Sequence, residues 1–141
     1  MENISPANNP LLDFSGPPHF SVILPEHIGP ALDHVLDENR RTLNQLLTDG
    51  GAVTWDNFAQ PIEDMRERLA RMWSSVAHLH AVMDSEALRM AYNAGLPKIT
   101  DYYTELAQDE RVYAGYKAIA ANVGFSELTM AQKKIIENTL R

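Results

Sequence analysis

From Ile28 onward, apolar residues recur every three or four positions, which is the period of a helix with one buried face. Ile28, Leu32, Val35, Leu36, Leu43, Leu46 and Leu47 form the first such stripe, with Asp33, Asp37, Glu38, Arg40 and Arg41 on the other face. This predicts a helix starting near Pro25, since proline suits the first helical position and Glu26 suits the positive end of the helix dipole. Pro30 either falls in the opening turns or splits off a short leading turn, and Gly50-Gly51 ends the helix. Thr54 is placed to cap a short helix carrying Trp55 and Phe58. Pro61 then opens what reads as the longest helix, striped by Ile62, Met65, Leu69, Met72, Trp73, Val76, Leu79, Val82 and Met83. At this spacing the Met and Trp stripe is a core rather than a partner groove.

Ser85 caps the next helix, whose period runs through Leu88, Ala91, Tyr92, Leu96, Ile99, Tyr102, Tyr103 and Leu106. Gly95-Leu96-Pro97 lies inside that unbroken period and predicts a kink rather than two helices. Asp109 and Glu110 open a fourth helix, with Val112, Tyr113, Tyr116, Ile119 and Ala120 on one side and Gly124 as its stop. Thr129 and Gln132 form a capping box, stapled by Leu128, for a last helix with Ile135, Ile136 and Leu140 turned inward. Before all this, residues 1–24 hold Pro6, Pro10, Pro17 and Pro18, which oppose regular helix. Leu11, Leu12, Phe14, Phe20, Val22, Ile23 and Leu24 make that segment too apolar for a free tail. Phe20 to Leu24 is the sole strand candidate. The reading is all-α: an antiparallel bundle of about five helices (25–141) preceded by an extended Pro-rich arm (1–24).

Composition narrows the function. The 141 residues suffice for one buried core, and 12 Lys+Arg against 19 Asp+Glu leave a net charge of −7. An acidic chain without a basic block is a poor nucleic-acid binder. The densest basic run, Arg66 to Arg71, reads as a solvated helix face. Cysteine is absent, which removes disulfides, a thiol nucleophile and Cys-based zinc sites. Met1 to Pro6 lacks the basic and apolar regions of a signal peptide, and no apolar run reaches spanning length. A cytoplasmic protein without membrane contact is the expectation.

Candidate chemistry is sparse. His78 and His80 are about 200° apart around a helix, and His27 and His34 are two turns apart, so neither pair shares an ion. His34 with Asp37 or Glu38 has ligand spacing but reads as a wet helix face. His78 reads as half-buried with a backbone or carboxylate partner. Ser74 and Ser75 read as small packing residues, and Tyr102, Tyr103, Tyr113 and Tyr116 as core with wet hydroxyls rather than the lining of a channel. No catalytic, cofactor-binding or metal residue is assigned.

A series of short motifs nevertheless carries a resemblance. Asn9-Pro10-Leu11-Leu12 is followed by Phe20-Ser21-x-Ile23-x-Pro25-Glu26-His27-Ile28-x-Pro30-Ala31, then Thr54-Trp55-Asp56-Asn57 and Gln60-Pro61. Ser75-Val76-x-His78-Leu79, Met83-x-Ser85-x-x-Leu88-Arg89-x-Ala91-Tyr92, Leu96-Pro97, Tyr113-x-x-Tyr116 and Thr129-x-Ala131-Gln132-Lys133-Lys134 continue the order. Together these resemble the N-terminal part of the thimet-type zinc oligopeptidases, the bacterial oligopeptidase A group among them. The resemblance implies a large, mostly helical, cytosolic metallopeptidase that cleaves short peptides in a deep channel. Its one zinc would be held by His-Glu-x-x-His and a later glutamate, with the motif glutamate as general base.

His-Glu-x-x-His does not occur in these 141 residues, so no catalytic position transfers. The chain is expected to form part of a channel lobe, to bind no cofactor itself, to have the remainder of the peptidase as its partner and to be inactive alone. The last helix meets Arg141 with no stop signal, which fits a segment of something longer. On that basis Ile135, Ile136 and Leu140, with some of Tyr102, Tyr103 and Tyr116, are expected to lie uncovered and to make the isolated chain self-associate or fray after Thr129. The competing reading is a stand-alone, non-enzymatic helical interaction module.

Overall fold

The computed structural model describes residues 5–49, 51–83 and 85–141, with the side chain of Val123 left aside. The readings of Met1 to Ile4 and of Gly50 fall outside the described residues. Among the described residues five α-helices form: α1 (Pro25–Thr48), α2 (Gln60–Val82), α3 (Glu86–Gln108), α4 (Glu110–Ala121) and α5 (Met130–Thr139). No strand occurs among the described residues.

Side-chain pairs give the direction of the three long helices. Asp33 meets Lys98 and Arg40 meets Glu105, so α1 and α3 run the same way. His80 stacks on Tyr92 while Trp73, seven residues earlier, reaches Gly95, so α2 runs against α3. The result is an up-down-up trio, with α4 and α5 packed at the end where α1 finishes and α2 begins. Two apolar cores follow from this. Leu32, Leu36, Leu69, Met72, Val76 and Leu88 belong to the first, which Leu11 of the arm completes. Trp55, Phe58, Ile62, Tyr116, Ile119 and Ile136 belong to the second. Each fully buried member contributes roughly 1.5–3 kcal/mol against exposure.

Several expectations are corrected. Of the two readings of Pro30, the first holds: α1 is continuous, because an exposed proline at its sixth position removes one amide donor close to a helix start. At 24 residues α1, not α2 with 23, is the longest helix. The short helix expected after Thr54 is present at Trp55–Ala59, but in π form and running straight into α2. Its widened ring sits just before Pro61, whose missing N–H and ring are hard to fit in a regular turn. The Thr54 cap itself forms: its hydroxyl accepts from Asn57 N and its amide donates to Asn57 Oδ1. Phe20–Val22 is a 3-10 turn, not a strand.

α1 ends at Thr48 and Gly51 carries the one positive φ, 115°, among the described residues. α4 ends at Ala121, where Asn122 caps a following 3-10 turn, so Gly124 is not its stop. α3 is one helix through Pro97. The capping box of Thr129 and Gln132 is present on α5. Ile136, however, is 0% exposed, Ile135 and Leu140 are half-buried, and Tyr102 and Tyr116 are buried. The expectation that these lie uncovered fails because α5 docks on α4 and closes the second core with the chain's own residues.

Candidate functional site

A polar seam separates the two cores. Asn39 occupies the apolar face of α1, between Leu36 and Leu43, and is 0% exposed. Its amide donates to the Met65 carbonyl of α2 at 3.3 Å, and its Oδ1 accepts from Arg68 at 2.9 Å. Arg68 also reaches Glu38 at 3.7 Å, and Glu38 in turn meets His34 at 3.3 Å. Across from them, Arg40 lies over the Tyr102 ring and forks onto both oxygens of Glu105. Burial pushes the Tyr102 phenol above its ordinary pKa, while a hydrogen bond with Asn39 acts the other way. On the α4 side, the Tyr116 hydroxyl donates to Glu63 at 3.2 Å, and burial raises that phenol strongly.

The five histidines do separate jobs. His27 Nδ1 accepts the Leu24 amide at 2.9 Å and caps α1. His19 lies 3.5 Å from Asp13, and His80 stacks on Tyr92 at 4.1 Å between ring centres. His78 is exposed, and its neighbour is the Phe20 ring at 4.8 Å, not the backbone or carboxylate partner expected of it. No group of three His, Asp or Glu side chains among the described residues is arranged to hold a metal ion. His34 pairs with Glu38, which also meets Arg68. These residues do not fit the zinc site that the resemblance implies. Ser75 is buried, with its hydroxyl on the Arg71 carbonyl, while Ser74 is exposed. Tyr103 is half-buried and Tyr113 exposed, unlike Tyr102 and Tyr116.

The run Arg66 to Arg71 is not merely solvated. Arg71 donates to the carbonyls of Phe14 and Gly16 and lies over the Phe14 ring at 5.6 Å, so it straps the arm to α2. The arm is also pinned by Asn9, whose amide donates to His27 O at 2.8 Å. A signal for the seam was present in the sequence, because Asn39 falls on the 32-36-39-43 face where only apolar residues were counted. Nothing in the local pattern distinguishes Arg71 from a solvated arginine, since its partners lie 55 and 57 residues away. Chemically, the seam orients helices through one buried amide–carbonyl hydrogen bond, flanked by part-exposed charged partners. It brings no nucleophile to a base.

Residues 32–141 match the model of the neurolysin/thimet oligopeptidase N-terminal domain, and the chain belongs to that family. It is 42% identical over 134 residues to oligopeptidase A of Haemophilus influenzae, covering 95% of this chain and 20% of that protein. It is 38% identical over 133 residues to oligopeptidase A of Escherichia coli, covering 94% and 20%. A probable cytosolic oligopeptidase A of Arabidopsis thaliana is 27% identical over 135 residues, covering 96% and 19%. The chain thus spans about a fifth of the length of these relatives and is similar to a partial peptidase segment. No helix among the described residues is long and apolar enough to cross a membrane.

Proposed function

We propose that this chain is the N-terminal helical segment of a cytosolic zinc metallopeptidase that hydrolyses short peptides. It builds part of one channel wall, and zinc and the catalytic residues come from elsewhere in the parent polypeptide. The observation that carries this reading is the colinear similarity to bacterial oligopeptidase A over nearly the whole chain. The chain's role is scaffolding: the seam fixes α1, α2 and α3 in register, and the strapped arm covers one face of the first core.

Such a segment needs a surface for the rest of the enzyme. An apolar cavity of about 390 Å³ opens where the arm meets the end of α2 and the start of α3. Leu24, Leu79, Met83 and Leu88 line it, and Val82 and Met83 are 60% and 66% exposed beside it. With four-fifths of the relatives' length lying outside this chain, its occupant is the remainder of the peptidase. The same end gives the isolated chain a surface for self-association. The test is the reading frame after Arg141. An in-frame His-Glu-x-x-His several hundred residues on supports the reading, and a stop codon directly after Arg141 overturns it.

A further inference from the structure

We propose that His27 makes the joint between the arm and α1 a proton-operated hinge, closed when the imidazole is neutral and released when it is protonated. His27 is the third residue of α1, and its Nδ1 accepts the Leu24 amide at 2.9 Å. In a capping box a glutamate or glutamine at that place reaches back to the same amide. Leucine has no side-chain oxygen, so the cap's side-chain hydrogen bond at this helix start is the one made by His27. An imidazole accepts only through an unprotonated nitrogen, and the imidazolium carries a donor on both. A proton on Nδ1 would set one N–H against another. It would also put positive charge in the first turn, where the helix dipole is already positive. Both effects break the bond.

The part set free is small and defined. Ile23 and Leu24 wall the apolar cavity at the end of α2, so releasing the joint frees that wall. The other tie between arm and α1 does not use the ring. Asn9 donates to the His27 carbonyl at 2.8 Å and accepts the Leu11 amide at 3.1 Å. The 3-10 turns Pro6–Asn8 and Pro10–Leu12, which pack on α1, carry no titratable side chain. Asp13 and His19 of the arm pair with each other, a contact that a proton on His19 strengthens. Glu26 is exposed on the same turn as His27 and offsets part of the charge effect, but it does not restore the acceptor. On α2, His78 meets Phe20 and His80 stacks on Tyr92, and Glu86 and Arg89 lie in the first turn of α3. The proposal concerns the joint alone, so its failure leaves the peptidase reading untouched.

The test is amide exchange of the 141-residue chain by NMR, from about pH 8 to about pH 5, which spans the ordinary imidazole range. After correction for intrinsic rates, the Leu24 amide should exchange about fivefold faster at the acid end, the loss of one ordinary hydrogen bond. The Leu24 amide shift should follow the same titration curve as the ring nitrogens of His27. The Leu11 amide should stay as protected as before. His27→Gln, which keeps an acceptor that does not titrate, should hold Leu24 equally at both ends. His19→Gln and His78→Gln should leave the acid response in place. A flat Leu24 profile in the parent, or a response that survives in His27→Gln, would overturn the proposal. So would equal loosening at Leu11, which would mean that acid frees the arm as a whole.

Discussion

The tip of the Phe58 ring abuts the backbone of Gly115: a Cβ built on Gly115 would sit 2.3 Å from two carbons of that ring. Phe58 is buried and also meets Tyr116 edge to face, so it has little room to yield. Gly115→Ala would gain about 1 kcal/mol of helix propensity and lose roughly 1–3 kcal/mol to overpacking. The expected outcome is a net loss, seen as a melting temperature lower by several degrees. An unchanged or raised melting temperature would mean that the π-turn carrying Phe58 moves freely.

Asn39 and Arg68 should be energetically coupled. Asn39→Ala leaves the Met65 carbonyl and the Arg68 guanidinium without this partner, at a cost of about 1–3 kcal/mol. Asn39→Asp should not rescue it, because a carboxylate would face the Met65 carbonyl in place of the amide donor. Denaturant unfolding of the two single variants and the double variant, with Arg68→Met, should give a coupling of about 0.5–3 kcal/mol. Strict additivity would show that the seam is packing without a hydrogen-bonded node.

The helices were largely legible in the sequence because their signals are local. The Thr129–Gln132 box, the Ser85 cap and the 3.6-residue stripes each lie within a few residues. What was not legible depends on distant partners. The strap by Arg71 and the tilted ring contact of Phe20 with His78 join residues more than 50 positions apart. Closure of the second core by Ile136 was missed for the same reason. An interrupted stripe suggests an open face, whereas docking on α4 buries it. The seam was half legible, as a polar residue at an apolar position of α1.

Acid should loosen the start of α4. Asp109 is both its N-cap and the partner of Arg111, and the hydrogen bond to Arg111 holds its carboxyl below the usual value of 3.8. A depressed folded-state pKa contributes stability that is fully present above the unfolded value, near pH 4, and is lost as pH falls through the lower folded value. Amide exchange at Val112 and Tyr113, which both donate to the Asp109 carbonyl, should therefore quicken as pH drops below about 4, after correction for intrinsic rates. Asp109→Asn should flatten that dependence. A flat profile in the parent would contradict it.

Met83 distinguishes the isolated chain from the parent. At 66% exposure, Met83→Asp should change the stability of the 141-residue chain by no more than about 0.5 kcal/mol. It should also weaken any self-association seen by sedimentation at low micromolar concentration. In the full-length protein the same change should destabilise measurably, because a charge would enter the covered apolar end. No effect on the full-length protein would mean that this end is not where the remainder docks.

The most direct measurement is hydrolysis of a short quenched-fluorescence peptide by the full-length polypeptide and by the 141-residue chain, each with zinc and with a chelator. The account predicts turnover by the full-length protein that the chelator abolishes and zinc restores, and none above background by the chain alone. Chelator-sensitive cleavage by the pure 141-residue chain, or a full-length protein that cleaves no short peptide with zinc present, would contradict it.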